Sequence, residues 1–278
     1  MLQESRLYSF IDQKEGFTLH FLEGQKLIHD VALTHPIVGE GFRFYRDILL
    51  STQMLLAFLK SDEGLGIYLD SETPYFKYKI EMSDSGQMRA LLIPDEFKEF
   101  PKKITGKCRL AKITPEEKQP YVSIIDLDNT DLEQVINKIL KDSYQLKSEV
   151  FLSPTSDQAI LISKLPSIDI NRIQTNYTLS VHEYWTKNER HFQEIFENFE
   201  ASYEMIQAHF EKINLTLLSS RQVLFKCTCS RERIMNGLWS LIKTSGIDHV
   251  FMPDENEIQT KCDYCSTNYT ISKSEFLN

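Results

Sequence analysis

Four of the five cysteines in this chain fall in two close pairs, Cys227-Thr228-Cys229 and Cys262-Asp263-Tyr264-Cys265. A pair separated by one or two residues presents both sulfurs from one short turn, and two such pairs supply the four thiolates that zinc takes in tetrahedral structural sites. Residues 230 to 261, 32 in all, leave room for a helix and the approach to a hairpin, so both turns can reach one ion. A filled shell has no position for substrate, so the zinc expected at Cys227, Cys229, Cys262 and Cys265 is structural and not a hydrolytic Lewis acid. The same sulfurs offer a second chemistry. Oxidation takes a thiolate to sulfenic acid and then to a disulfide, a poor metal ligand, so an oxidant would eject zinc and unfold a module with little apolar core of its own. Four cysteines permit three pairings, and spacing does not choose among them.

Lys226, Arg231, Arg233 and Lys261 lie in or beside the pairs. Zinc with four thiolates carries a formal charge of about −2, so these cations either neutralise the cluster as solvated charge or favour thiolate over thiol. His249, between the pairs, is superfluous to a complete shell and is expected at the surface or in packing. The remaining Cys108 reads as a small buried hydrophobe in a strand.

The chain has 278 residues, enough for a sizeable core plus a smaller module. Its 31 basic and 40 acidic residues give a net charge of −9, which opposes wrapping a polyanion. The first residues, Met1-Leu2-Gln3-Glu4-Ser5-Arg6, lack the features of a secretion signal. The most apolar window, Ile48 to Leu59, is broken by Ser51, Thr52 and Gln53 and falls short of the ~20 residues that span a bilayer. A cytoplasmic protein with no membrane or nucleic-acid partner is expected, in a compartment where a close cysteine pair is metal-binding or redox-active before it is a permanent staple.

The elements that must carry these residues are read from periodicity. Phe42 to Phe58 has helical spacing and stops at Lys60-Ser61-Asp62-Glu63-Gly64. Gly66–Leu69, Tyr75–Ile80, Arg89–Ile93 and Val122–Ile125 are short, aromatic or β-branched runs expected in one sheet. Thr130-Asp131-Leu132-Glu133 reads as a capping box before a helix whose buried stripe is Val135, Ile136, Ile139 and Leu140. Lys187 to Lys212 carries Phe192, Ile195, Phe196, Phe199, Tyr203, Ile206 and Phe210 at intervals of three and four, an amphipathic helix whose Phe-rich face must be covered. The expected fold class is α+β: a mixed N-terminal core domain over residues 1–167, a helical amphipathic linker over 168–222 and a small zinc module over 223–278.

Two other motifs compete. Ile124-Ile125-Asp126-Leu127-Asp128-Asn129-Thr130 looks like the first motif of haloacid-dehalogenase-type phosphohydrolases, in which Asp126 would attack phosphorus and Asp128 would handle the leaving group with Mg²⁺. The motif sits mid-chain, where a strand running into a polar turn explains it. Gly106-Lys107-Cys108 fails the phosphate-loop pattern, since position 101 is Pro and Cys stands where Ser or Thr is needed. A zinc ribbon binding nucleic acid or protein is the other class, but residues 221 to 278 hold seven basic and seven acidic side chains and lack an electrostatic footprint for phosphate.

The string Phe225-Lys226-Cys227-Thr228-Cys229-Ser230-Arg231-Glu232-Arg233, then Glu257-Ile258, Cys262-Asp263-Tyr264-Cys265 and Tyr269, closely resembles the redox-regulated 33-kDa heat-shock chaperones of the HslO type. Leu55 to Lys60, Pro74, Gln87-Met88-Arg89 and Leu165-Pro166 follow the order of that family's N-terminal domain. The resemblance implies an ATP-independent holdase that binds unfolding client proteins under oxidative stress and dimerises when oxidised. It implies zinc at Cys227, Cys229, Cys262 and Cys265 in the reduced form, and disulfides Cys227–Cys229 and Cys262–Cys265 in the oxidised form. The chain departs from the family where glycines are usual, at Ser71-Glu72-Thr73, Ala90 and Ser266. Glycine after the second pair supplies a left-handed backbone without cost, so Ser266 implies strain or an altered turn.

Overall fold

A computed structural model describes residues 2–35, 37, 39–94, 102–117, 119–166, 169–170, 173–174, 178–198 and 201–277. The chain divides into two units, Met1–Phe225 and Lys226–Asn278.

The larger unit opens with a hairpin of β1 (Arg6–Asp12) and β2 (Phe17–Glu23), in register from Arg6 opposite Glu23 to Asp12 opposite Phe17. Both strands alternate, so Tyr8, Phe10, Phe17, Leu19 and Phe21 share one face while Leu7 and Leu22 take the other. α1 (Gln25–Thr34) and α2 (Glu40–Gln53) follow. The helix predicted over Phe42–Phe58 is α2 continued by a 3₁₀ turn, Met54–Phe58, and the predicted stop is realised where Asp62 turns left-handed at φ 62°.

Next come β3 (Gly64–Thr73), β4 (Phe76–Ser83), β5 (Gln87–Ile93), β6 (Lys103–Ile113) and β7 (Tyr121–Asp131), antiparallel neighbours in a six-stranded sheet that contains all four predicted strands. Gly106 lies on β6 opposite a bulge in β3, where a Cβ would sit 2.1 Å from the main-chain oxygen of Asp70. Close approach of two strands, and no phosphate loop, accounts for the glycine; Pro101 lies outside the described residues. Cys108 on the same strand is fully buried, and burial pushes its thiol up to about 12, which makes it inert.

The capping box is not formed. α3 (Leu132–Asp142) starts after Asp131, and no side chain caps it. The reason is that β7 stays in the ladder through Ile104–Thr130 and Lys103–Asp131, so the Thr130 hydroxyl donates to the Asp128 carbonyl at 3.3 Å instead; the Glu133 side chain lies outside the described residues. The stripe behind the cap is as expected, with Val135, Ile136, Ile139 and Leu140 all buried.

β8 (Ser148–Leu152) and β9 (Gln158–Lys164) join β2, a two-residue ribbon follows as β10 (Asp169–Ile170) and β11 (Ile173–Gln174), and two helices come next, α4 (Val181–Phe196) and α5 (Tyr203–Glu211). The chain then returns as β12 (Thr216–Gln222) to pair with β1, giving the order β12-β1-β2-β9-β8. The central strands β2 and β9 of this sheet are buried on both faces, which is why β9 reads Ala-Ile-Leu-Ile without alternation. Ala159 and Leu161 join the core under α1, α2 and the six-stranded sheet, while Ile160 and Ile162 join the aromatic face under α4 and α5.

The single helix expected across Lys187–Lys212 is two helices. α4 starts earlier, at a capping box formed by Ser180 and Glu183, and Ser202 starts α5 by accepting the Met205 amide at 3.3 Å. Phe192, Ile195, Phe196, Ile206 and Phe210 are buried against the sheet, so the Phe-rich face packs within the larger unit; Phe199 lies outside the described residues. α4 is anchored where the Tyr184 hydroxyl donates to Asp12 at 3.0 Å. The unit ends with β13 (Leu224–Phe225), which pairs parallel to β5 beside Gly86. Gly86 has φ +81°, and a Cβ there would lie 1.8 Å from the Gln222 carbonyl.

Two measurements probe this architecture. Phe210 packs on Phe10 and Phe21 at ring distances of 4.7 and 5.3 Å, so Phe210→Ala is expected to cost about 3–5 kcal/mol. Trp185, stacked on Phe151 at 3.8 Å, reports the loss as a lower urea midpoint in fluorescence. Burial raises the carboxyl of Glu23 to about 7 against the donors Gln158 and Gln25. The native state therefore holds this proton between about pH 4.5 and 7 while the unfolded chain has released it. Stability should fall as pH rises through that window and level off above it, a slope that Glu23→Gln removes whatever its effect on absolute stability.

Candidate metal centre

The smaller unit is built from α6 (Arg231–Ser245), a 3₁₀ turn at Ile247–His249, and the hairpin β14 (Glu257–Lys261) with β15 (Asn268–Ser272). Ser230, the residue after Cys229, caps α6 by accepting the Arg233 amide at 3.2 Å, so the helix starts at Arg231. The second cysteine pair lies at the turn of the hairpin, held by Cys262 N–H to Thr267 O at 2.9 Å and Ser266 N–H to Cys262 O at 2.8 Å. Ser266 is left-handed at φ 59°, so of the two alternatives, strain or an altered turn, it keeps the backbone that a glycine would supply and bears the strain. The apolar core is slight: Phe251, Ile271 and Phe276 are its buried hydrophobics, with α6 packing over them.

All four sulfurs, of Cys227, Cys229, Cys262 and Cys265, lie within 4.8 Å of one another. Cys227 is 3.7 Å from Cys262 and Cys229 is 3.3 Å from Cys265. A tetrahedron with metal–sulfur bonds of about 2.3 Å has sulfur–sulfur edges of roughly 3.8 Å, so the cluster can hold one tetrathiolate ion with small adjustments. The donor set suits a borderline or soft metal and fills its shell.

Polar partners surround the sulfurs. The Tyr269 hydroxyl is 3.0 Å from Cys229, and its hydrogen bond to that sulfur pushes the tyrosine up to about 12. Burial raises the Cys262 thiol to about 12, and burial likewise raises Cys229. At Cys265 burial is outweighed by the Thr267 hydroxyl and amide, and that thiol is lowered to about 7. Crowded thiols cannot all ionise alone, and a divalent cation among them reverses that balance.

The flanking cations are engaged elsewhere. Arg231 forms a two-pronged pair with Glu275 at 2.8 and 2.6 Å, which holds that carboxyl down at about 2. Arg233 donates to the Thr228 carbonyl and hydroxyl at 3.0 and 2.7 Å, bracing the turn between Cys227 and Cys229. Both therefore support the frame of the site. Lys226 and Lys261 flank the ligand turns, and both are exposed, as is His249. Residue spacing does not reveal the roles of Tyr269 and Thr267, because their reach to sulfur depends on the hairpin register that pairs Thr260 with Tyr269.

Asp126 and Asp128 are both exposed, on the outer strand of an antiparallel sheet. The phosphohydrolase motif needs its aspartates at the end of a strand in a doubly wound parallel sheet, so the strand-and-turn reading holds.

Fold and site together define a mixed α+β protein with a C-terminal unit of four converging thiols. The family model described as Hsp33 protein matches residues 5–272, and the chain belongs to that family. It is 23% identical over 253 residues to the 33 kDa chaperonin of Proteus mirabilis (strain HI4320), covering 84% of this chain and 81% of that protein. It is 26% identical over 276 residues to the 33 kDa chaperonin of Enterobacter sp. (strain 638), covering 98% and 94%. The fold matches the crystal structure of the 33 kDa chaperonin, a heat shock protein 33 homologue, from Thermotoga maritima, with TM-score 0.74, 14% identity and coverage of 99% and 97%. Among the described residues no helix is long and apolar enough to cross a membrane.

The left-handed Ser266 gives a direct test. Ser266→Gly and Ser266→Ala both remove the hydroxyl, so their difference isolates the backbone. The glycine variant should be more stable by about 1 kcal/mol, read from the urea midpoint of Trp239 fluorescence in the metal-loaded protein.

Proposed function

We propose that this chain is a redox-regulated, ATP-independent holding chaperone of the cytoplasm, switched by oxidation of a zinc centre at Cys227, Cys229, Cys262 and Cys265. The observation that carries this reading is a cluster of four thiols, in a member of the Hsp33 family, inside a unit whose own buried hydrophobics are Phe251, Ile271 and Phe276. Relatives named 33 kDa chaperonin support the chaperone class. Bound zinc would supply folding energy, of order 10–16 kcal/mol in small structural sites.

The sulfurs then act as the trigger. A thiolate attacks one peroxide oxygen, the O–O bond breaks, and the sulfur becomes sulfenic acid with hydroxide released; a second thiolate displaces the sulfenic hydroxide and closes a disulfide. Two sulfurs give two electrons to one peroxide, so two disulfides consume two. The proposed pairing is Cys227 with Cys229 and Cys262 with Cys265. It unties the two turns from each other, whereas crosswise disulfides would keep them joined. The sulfur contacts of 3.7 and 3.3 Å run between the pairs, but a tetrahedral cluster has edges of equal length within the pairs, so these distances do not choose the pairing.

Residues 1–167 act as the core, 168–222 as the conditional helical segment and 223–278 as the switch. α4 and α5 cover Phe10, Phe17, Leu19 and Phe21, and lifting them would present an aromatic surface to unfolding clients. A bias of a few kcal/mol moves such an equilibrium, well within what loss of a structural metal provides. The oxidised form is proposed to act as a homodimer. Neither nucleic acid nor a catalytic residue has a part in this reading.

The test follows zinc release, apolar-dye binding and client aggregation in one sample, reduced and then treated with peroxide and mild heat, beside Cys262→Ser. Oxidised wild type should release zinc, bind dye and suppress aggregation without ATP, and peptide mapping should find the in-turn disulfides. Zinc release with no gain in dye binding or suppression overturns the proposal.

A further inference from the structure

A second group of metal-type ligands lies in the larger unit, before the thiols in sequence. His191 and Glu194 stand one helical turn apart on α4, and His209 comes from α5. Ligand atoms of all three lie within 4.8 Å of one another. The Nε2–H of His209 donates to the main-chain oxygen of His191 at 2.7 Å, which brings the second ring against the first, with centroids 5.9 Å apart. Nδ1 of His191 is shut off from solvent and has no hydrogen-bond partner among the described residues, the nearest carboxylate oxygen of Glu194 being 3.8 Å away. A buried nitrogen without a proton partner is a polar group waiting for a Lewis acid or a donor.

We propose that His191, Glu194 and His209 form a second metal site, specific for a borderline divalent transition ion such as zinc. Two imidazoles and a carboxylate are a ligand set that zinc takes with a fourth position left to water, and magnesium and calcium, which prefer oxygen cages, do not compete for it. Tetrahedral bonds of about 2.0–2.1 Å place ligand atoms roughly 3.4 Å apart, so atoms now within 4.8 Å of one another, and 3.8 Å apart between His191 and Glu194, need move inward by less than about an ångström. His191 and His209 are half-buried and Glu194 is exposed. The competing partner of Glu194 is Arg190 at 2.9 Å, an i,i+4 pair whose arginine is 88% exposed and which yields at little cost.

The consequence is a staple. α4 and α5 are separate helices, and together they cover the aromatic face of the five-stranded sheet. An ion held by two residues of one and one residue of the other fixes the pair and favours the covered state. The site shares no ligand with the thiol cluster, so its failure leaves the chaperone reading intact.

The experiment uses the untagged, reduced, full-length chain with one equivalent of zinc at the cysteines, titrated with Co²⁺ up to millimolar. Expected are d–d bands of a nitrogen and oxygen site without thiolate-to-cobalt charge transfer, together with a raised thermal transition of the larger unit. His209→Gln and Glu194→Gln should each weaken this binding by at least about 100-fold, beyond the roughly 10–100-fold typical of residues that only support a ligand. Each variant should keep its one tightly held zinc. Glu194 is exposed, so its variant decides the matter should His209→Gln misfold. Three outcomes overturn the site: charge-transfer bands alone, no cobalt uptake, or nitrogen and oxygen bands that persist unchanged in Glu194→Gln.

Discussion

Crowded sulfur is the condition on which the smaller unit depends. Its four thiols sit within 4.8 Å of one another, where four thiolates would repel, while metal binding requires every one of them ionised. The local structure is arranged around that conflict. A helix begins directly after the first pair, a hairpin turns at the second, and hydroxyls of Tyr269 and Thr267 lie against individual sulfurs. With Phe251, Ile271 and Phe276 as its buried hydrophobics, the unit has little apolar core, so a metal at the cluster would add to its stability as it ionised the sulfurs.

The larger unit solves a different problem, how to cover both faces of a sheet. α1, α2 and the six-stranded sheet cover one face with a broad aliphatic core, and α4 and α5 cover the other with aromatic rings. Polar anchors of the second layer among the described residues are Tyr184 on Asp12, Lys187 on Glu15 at 2.7 Å, Lys164 on the Leu179 carbonyl at 2.5 Å, and Gln158 on the Asn198 carbonyl at 3.3 Å, against a broad apolar contact. A layer held mainly by non-directional apolar contact is one whose removal leaves few buried polar groups unsatisfied, which lowers the cost of an alternative arrangement.

What could be read from sequence follows from how local each signal is. Ligation demands a residue type at a spacing, so the convergence of the four cysteines was legible before any fold. The strands from β3 to β5 and β7 were legible because each is a short patterned run between turns. The left-handed Ser266 was legible as a departure from glycine. The five-stranded sheet was not legible, since β1 and β12 meet only across the whole larger unit, and β9 lacks alternation because both its faces are covered. Thr130 misled because a cap needs a free hydroxyl and the strand ladder had already fixed that residue. His191 and Glu194 show helical spacing in sequence, but the approach of His209 emerges only once the second helix folds back.

The pairing of β1 with β12 has a consequence for how this chain is made. Arg6 lies opposite Gln222, so the first strand waits for a partner more than two hundred residues behind it. At about 5–20 residues per second on the ribosome, that edge stays open for roughly 10–40 s after it emerges. During that interval the nascent chain carries an unmatched, aromatic-rich strand edge of its own, a template for illicit pairing until the last stretch of synthesis closes it.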